Sequence, residues 1–454
     1  MSEFVSLQTA LSGLRATQAR MDTIGHNMAN VDTPGYTRQI VDLTEAAPYQ
    51  SVSGWMGAGV DVTGITRARD AFLDARVRSS SDTQAGFQTR ADLLQRTETV
   101  LGEPSSGISG PLAAVWSAFE NAASSPSDSG ARTAALSALG NLTTRIQQVS
   151  SGWSQVAGDV KQSLSASVTD VNDKLGQLAK LNQAIGSASS SGAPNDLLDQ
   201  RDLLIDQLST EVGATGIVSP DGTARVVIGG LSVVDGATST PLTLRTDGTI
   251  AGPSGLTVTA GGKIGGYQSF LSTDLPGYQA RLDDLATDLA TALNAQHAAG
   301  FSPDGQAGGP LLTYTAGAAA STLAVVVTDP SKLALSSAGG PPFPTFNGVN
   351  AQALADLRTA TSASGGTISL GGAVTSLVSV LAAGTASAAS SAASQSSLLQ
   401  AMTSARQGAQ GVSIDEEMTN MMEAQRAYQA AARVMTAVDQ NLDTLVNHTG
   451  MAGR

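Results

Sequence analysis

A chain of 454 residues with 38 acidic and 25 basic side chains carries a formal net charge of −13, and only 14% of its residues are charged. That balance excludes a basic nucleic-acid binder and a highly charged disordered chain, while the length suffices for two or three domains. Cysteine is absent, which removes disulfides, zinc–thiolate and iron–sulfur sites and cysteine nucleophiles together. Aromatics are scarce and glycines number 49, so core volume falls to Ala, Leu, Val and Met, a composition suited to closely packed helices.

From the N-terminus, Phe4, Leu7, Leu11, Leu14, Met21 and Met28 recur at helical spacings, with Gln18 and Gly25 at the two heptad positions that break the pattern. The spacing predicts one long helix of roughly 40 Å. This periodicity stands where a signal peptide would show a basic region followed by a compact apolar run, so any export is expected to use no cleaved signal. Asn30 and then Thr33-Pro34-Gly35-Tyr36 end the helix, Pro presetting one central turn residue and Gly supplying the positive φ of a type II turn. Weak alternation at Val60, Val62 and Ile65 predicts extended or hairpin-like chain to about Thr66. Helices follow over 70–101, closed by Gly102-Glu103-Pro104, over 113–123 and over 131–189, the last carrying Leu164, Val168, Val171, Leu175, Leu178 and Leu181 on one stripe. Residues 187–192 interrupt the pattern, and 196–208 forms a short amphipathic helix with its charges on one side.

The period then changes. Short β-type runs at 225–228, 231–234, 242–244 and 256–258 are separated by Asp221-Gly222, Gly229-Gly230, Asp235-Gly236 and Asp247-Gly248, all turn chemistry. Helix returns over 268–298, one strand is expected at 323–327, and helices cover 351–359, 370–406 and 413–447. The uncharged stretch between Arg358 and Arg406 is too interrupted by Ser, Thr and Gly for a membrane span and reads as a buried helix. The last helix opens with Ser413 and Glu416 in capping-box spacing, and its seam is Ile414, Met418, Met421, Tyr428, Met435, Leu442 and Leu445. Both chain ends thus carry heptad-like helices, which pair most simply with each other.

The expected fold is mainly α with a small β-rich insertion. Residues 1–66 with 412–454 form a terminal coiled-coil domain, 67–210 with 263–411 a discontinuous helical domain, and 211–262 the insertion, expected to be dispensable to the flanking helices. Enzymatic chemistry finds no constellation. His26, His297 and His448 lack metal-ligand partners at i+3 or i+4, Gly261-Gly262-Lys263 lacks phosphate-loop spacing, and Asp283-Asp284 and Glu416-Glu417 are sequence neighbours that do not face each other. The latter two pairs read as a solvated face and a helix cap. No catalytic residue, cofactor or metal is expected. Residues 1–40 carry only Glu3, Asp22 and Asp32 against Arg15, Arg20 and Arg38, a sparse charge that favours burial among neighbouring subunits over a solvated face.

Three motifs resemble the rod and hook axial proteins of the bacterial flagellum: Ala10-Leu11-Ser12-Gly13-Leu14, Asn27-Met28-Ala29-Asn30 and Thr33-Pro34-Gly35-Tyr36. Within that family, Tyr36-Thr37-Arg38-Gln39 is nearer to the hook-associated members than to hook or rod subunits. Asp199-Gln200-Arg201-Asp202-Leu203-Leu204, Asn294-Ala295-Gln296-His297, Ser413-Ile414-Asp415-Glu416-Glu417-Met418 and Gln425-Arg426-Ala427-Tyr428-Gln429-Ala430 agree. The resemblance implies a structural subunit exported through the flagellar type III apparatus to the extracellular hook–filament junction. Its implied partners are the hook protein, a second hook-associated protein beside the filament, further copies of itself and a cytoplasmic export chaperone at the C-terminal helix, with no nucleic acid or membrane. The assembly interface would be Phe4, Leu7, Leu11, Leu14, Met21, Met28, Met418, Met421, Tyr428, Met435 and Leu442, with Thr33, Pro34, Gly35 and Tyr36 as the turn motif.

Overall fold

A computed structural model describes residues 2–51, 54–188, 193–339 and 346–444. The first helix, α1 (Ser2–Ala29), ends at the expected turn, where the Tyr36 N–H donates to the Thr33 carbonyl at 3.1 Å and Gly35 takes a φ of 81°. The following chain is a ribbon. β1 (Gln39–Glu45) pairs antiparallel with β4 (Val60–Arg67), Gln39 opposite Arg67, and between them β2 (Tyr49–Ser51) pairs with β3 (Gly54–Met56). α2 (Ala71–Leu101) is capped by the Asp70 carboxylate, which accepts from the N–H groups of Phe72 and Leu73, and it stops at Gly102 in the left-handed conformation that ends many helices.

α3 (Ser109–Ser124) leads into α4 (Ser129–Ala188), about 90 Å long at 1.5 Å per residue. Residues 189–192, where the sequence predicts an interruption, lie outside the described residues. α5 (Asn195–Val212) enters the insertion, whose strands β5 (Thr215–Val218), β6 (Ala224–Ile228), β7 (Leu231–Asp235) and β8 (Thr238–Ser239) form a meander in that order. A second small sheet joins β9 (Thr243–Leu244), β10 (Ile250–Ala251) and β11 (Thr257–Val258). Gly222, Gly229, Gly230, Gly236 and Gly248 all have positive φ, as the turn reading requires.

Helix resumes at Gly262 rather than Gln268. α6 (Gly262–Ser269) passes through one π-helical turn at Phe270–Asp274 into α7 (Leu275–Ala298). Glycines hide this start from a periodicity reading, yet they are what the packing needs: a Cβ on Gly266 would lie 2.8 Å from the Gly86 carbonyl oxygen of α2. Beyond it come β12 (Leu312–Thr313), α8 (Ala319–Thr322), β13 (Ala324–Val325), α9 (Val349–Asp356), β14 (Thr361–Ala363), β15 (Ile368–Ser369), α10 (Leu370–Gln410) and α11 (Ile414–Asp443). The helix predicted over 413–447 is described to 444, so Leu445 and His448 lie outside the described residues.

Two hydrophobic cores organise the body. The larger joins α2, α3, the first half of α4, α7, α9 and α10 around Trp116, Phe119, Trp153 and Phe270. The smaller packs Leu164, Val168, Val171, Leu175 and Leu178 of α4 and Ile205 and Leu208 of α5 against Val226, Ile228, Val233, Val234, Ile250 and Val258 of the insertion. The insertion is therefore half of a core, and the expectation that it is dispensable to the flanking helices is corrected. Its ends do meet, the Gly261 N–H donating to the Val212 carbonyl at 3.0 Å, so a short Gly/Ser replacement of residues 213–262 can close the chain. The expected result is nonetheless loss of helix and aggregation, because the stripe Leu164–Leu178 would face water; circular dichroism and size-exclusion chromatography read it, and a soluble chain with its helix content intact would refute it.

α10 also departs from its prediction. Its face Leu370, Val374, Leu377 and Leu381 is buried as expected, but only 22% of its most apolar window is buried, although the helix is long and apolar enough to cross a membrane. Small, uncharged side chains line the exposed side, so periodicity located one face and composition overstated the burial of the other.

His297 is fully buried in α7. Its Nδ1 lies 2.7 Å from the Gly309 carbonyl oxygen and its Nε2 2.9 Å from the Ala334 N–H, so the ring is neutral, donating from Nδ1 and accepting at Nε2. Burial lowers its pKa against the weaker raising effect of the Gly309 hydrogen bond. The unfolded chain then binds more protons than the folded chain below about pH 6.5, so stability is present above that value and falls as pH drops toward the lowered one. Urea titrations at pH 5 and pH 7.5 should differ, and His297→Gln should shrink the difference.

Candidate functional site

α1 and α11 pack together, with the ribbon along a second side of α1. At about 100° per residue, the buried residues of α1, namely Ala10, Ala16, Thr17, Thr23, Ile24 and Asn27, share one face of mostly small side chains. Leu7, Leu11, Leu14, Met21 and Met28 form a different stripe, rotated by roughly 100°, and each is only half-buried. The side chain of Phe4 lies outside the described residues. α11 repeats the pattern: Glu417 and Ala424 are buried, Met421, Met435 and Leu442 are half-buried, and Met418 and Tyr428 are 51% and 38% exposed. Ser413 caps α11 through its hydroxyl, which accepts from the Glu416 N–H.

The turn after α1 is the hub of a polar network. Tyr36 Oη donates to Asn27 Oδ1 at 2.7 Å, and the same oxygen accepts from the Gln39 N–H at 2.9 Å. Asn27 Nδ2 donates to the Gln39 carbonyl at 2.9 Å and to Glu417 at 3.3 Å. Arg38 Nε reaches the other oxygen of Glu417 at 2.7 Å. Burial, followed by the nearby Asp196, Asp199 and Glu417 carboxylates, pushes the Tyr36 phenol well above its usual range, so it acts as a neutral donor.

Below the turn, α5 supplies three carboxylates at spacings of three and four, which places them on one stripe. Asp199 accepts from the Thr37 N–H at 3.1 Å and from Arg67 at 2.8 Å. Asp202 meets Arg67 at 2.9 Å, Arg201 at 2.8 Å, and also Arg69 and Arg78. Asp206 meets Arg78 at 2.5 Å and Arg406 of α10 at 2.8 Å. Asp74 of α2 pairs with Arg69 at 2.5 Å. Arg201 is almost wholly buried, and burial plus the neighbouring Arg67, Arg69 and Arg78 lower its pKa to about 9 against the raising effect of Asp199.

This network ties the terminal helices to the body at one joint. Gly35 sits against α5 so closely that a Cβ there would lie 3.1 Å from Leu203 Cβ, which gives the turn glycine a packing reason beside its φ. A cleft of about 510 Å³ opens beside it, lined by Thr33, Pro34, Gly35 and Tyr36 together with Arg69, Asp206 and Arg406. Sequence reasoning missed the joint. It read Glu416-Glu417 as a cap, yet Glu417 is buried and paired while Glu416 remains exposed. It also left the charged side of α5 unassigned; that side faces the arginines. The usable signal was the Asp199, Asp202 and Asp206 stripe alone, since Arg67, Arg69 and Arg78, which pair with it, lie more than 120 residues away in the chain.

Comparison with known proteins places these features. A model described as the flagellar hook-associated protein FlgK helical domain matches residues 94–312. The flagella basal body rod protein model matches residues 7–37, and the flagellar basal body rod FlgEFG protein C-terminal model matches residues 406–447. The chain is 30% identical to flagellar hook-associated protein 1 of Bacillus subtilis over 100% of both chains, and 27% identical to that of Escherichia coli over 97% of this chain and 99% of the relative. The solved flagellar hook junction protein FlgK from Burkholderia pseudomallei shares the fold, with a TM-score of 0.67 at 19% identity, covering 75% of this chain and all of that one.

Proposed function

The chain belongs to the family of flagellar hook-associated protein 1, and we propose that it joins hook to filament through the two stripes that its own fold leaves uncovered. It is a structural component of the bacterial flagellum at the hook–filament junction. The observation that carries the mode of assembly is that α1 spends a small-residue face on contacts within the chain and keeps Leu7, Leu11, Leu14, Met21 and Met28 half-exposed. A helix that reserves its large apolar side chains is suited to packing among other copies.

On this reading, residues 1–66 with 412–454 form the inner coiled-coil domain, and residues 67–210 with 263–411 surround it. The insertion 211–262 lies farther out. The hook protein contacts one end of the ring and a second hook-associated protein the other. Export proceeds without a cleaved signal peptide to the outside of the cell, with a cytoplasmic chaperone covering the exposed Met418 and Tyr428 of α11 beforehand. Electron microscopy of cells lacking the protein tests the role: complete hooks without filaments are expected, whereas missing or truncated hooks would assign the chain to the hook or distal rod.

A further inference from the structure

The ribbon lies alongside α1, fixed at one end by the Gln39 N–H on Asn27 Oδ1 at 2.9 Å and farther along by the Val60 N–H on Ser12 Oγ at 3.2 Å. Leu43 stands opposite Val62 and Val41 opposite Ile65, and directly opposed residues share a face. Three of these four are large apolar side chains left exposed, as is Ile40. Past them, Trp55 on β3 is 72% exposed, while Trp116 and Trp153 are buried in the core. A Trp carries 150–250 Å² of coverable surface, roughly, so leaving it in water is costly unless something seats on it.

The same face of the molecule offers a seat. A groove of about 300 Å³ runs between the ribbon and α11, walled by Ile24, Ile40 and Leu43 and by the polar Gln39, Glu417 and Asn420, and carrying Arg20. Among the described residues the Arg20 side chain forms no ion pair or hydrogen bond. A slot with apolar walls, polar ends and an unpaired guanidinium suits an indole, by burial of its ring, by a partner for its N–H and by cation–π attraction.

Trp55 does not line its own chain's groove. It pairs with Gln50, ten residues beyond Ile40 along the chain, a path of at most roughly 35 Å. We propose that Trp55 of one copy seats in the groove between the ribbon and α11 of a second copy displaced along α1. The inference rests on the assembly reading above and deepens it. Knob and slot are different surfaces, so the contact is heterologous and propagates from copy to copy into a ring or helical layer instead of closing a two-fold dimer. One Trp and its surroundings fall well short of the roughly 1,200 Å² that a stable pair needs, so the contact adds to the helix stripes in the assembled junction and leaves the dilute chain monomeric.

The test places p-benzoylphenylalanine at position 55 of the full chain (Trp55→p-benzoylphenylalanine), which retains an aromatic knob on an exposed strand and leaves the fold unperturbed. Illumination of assembled flagella should give a ladder of multimers of this chain, and mass spectrometry should map the photoproduct to residues 20–43 or 417–420 of another copy. Arg20→Ala should lower the ladder by roughly threefold or more. The same photolabel at Met421 reports the helix stripe separately. A ladder from position 421 with none from position 55 overturns the seating and spares the helix reading. Position 55 labelling a different protein, its own chain or another surface of this chain also overturns it.

Discussion

Asp202→Ala is expected to loosen the joint between the terminal helices and the body, lowering the melting temperature by about 3–5 °C. Asp202 touches Arg67, Arg69, Arg78 and Arg201. Three of these keep another carboxylate when it is removed: Arg67 has Asp199, Arg69 has Asp74 and Arg78 has Asp206. Among the described residues Arg201 keeps one hydrogen bond, to the Gly222 carbonyl, and the more distant charge of Asp199. Its side chain is 2% exposed, so the variant strands a buried charge, a change that typically costs about 3–5 kcal/mol. Because the penalty comes from the orphaned guanidinium, adding Arg201→Met should return part of the loss, and the double-mutant cycle isolates it. Hydrogen exchange should quicken first in α5 and β4, the elements the network joins. An unchanged melting temperature for Asp202→Ala would show that the cluster tolerates a missing carboxylate and that the joint is held by packing alone.

The legible parts of this molecule are those governed by local rules. The turn at Thr33-Pro34-Gly35-Tyr36, the Ser413 cap, the Gly102 stop and the turn glycines of the insertion each follow from the conformational limits of one or two residues, and each stands where the sequence puts it. The stripe Leu164–Leu178 of α4 was equally plain as a buried face, but nothing in its spacing says that a β-sheet covers it. Periodicity finds a face and is silent about its partner. Two signals pointed the wrong way for physical reasons. Charges on α5 normally mark the solvated side of an amphipathic helix, and here arginines from three other segments, 67–69, α2 and α10, neutralise them. On α1 the eye follows the largest apolar side chains, whereas the close intrachain contact is made by Ala10, Ala16, Thr17 and Thr23, whose smallness is what lets other elements approach. The joint itself brings together residues about 130 to 390 positions apart, such as Arg67 with Asp199 and Asn27 with Glu417, and no local rule encodes such pairings.

Changing Met421 and Tyr428 together to Asp should abolish filament attachment while the isolated chain remains folded. Both residues flank the face of α11 that meets α1, Met421 half-buried and Tyr428 38% exposed, so in the free subunit the new carboxylates reach water and cost little. In a packed layer they would lose that water, at several kcal/mol each after relaxation, and two such losses exceed what a single subunit contact can absorb. Ala424→Asp is the contrasting variant: Ala424 is fully buried, so a charge there should separate α11 from α1 within the chain and lower its thermal stability before any assembly begins. The pair of variants separates the buried centre of one stripe of the helix, at Ala424, from its more exposed margin, at Met421 and Tyr428. Circular dichroism should place Met421→Asp/Tyr428→Asp at the parent melting temperature and Ala424→Asp below it, and a motility assay in cells lacking the native protein should find neither active. Motility retained by the double variant would remove Met421 and Tyr428 from the interface and leave the α1 stripe to carry assembly with a different surface.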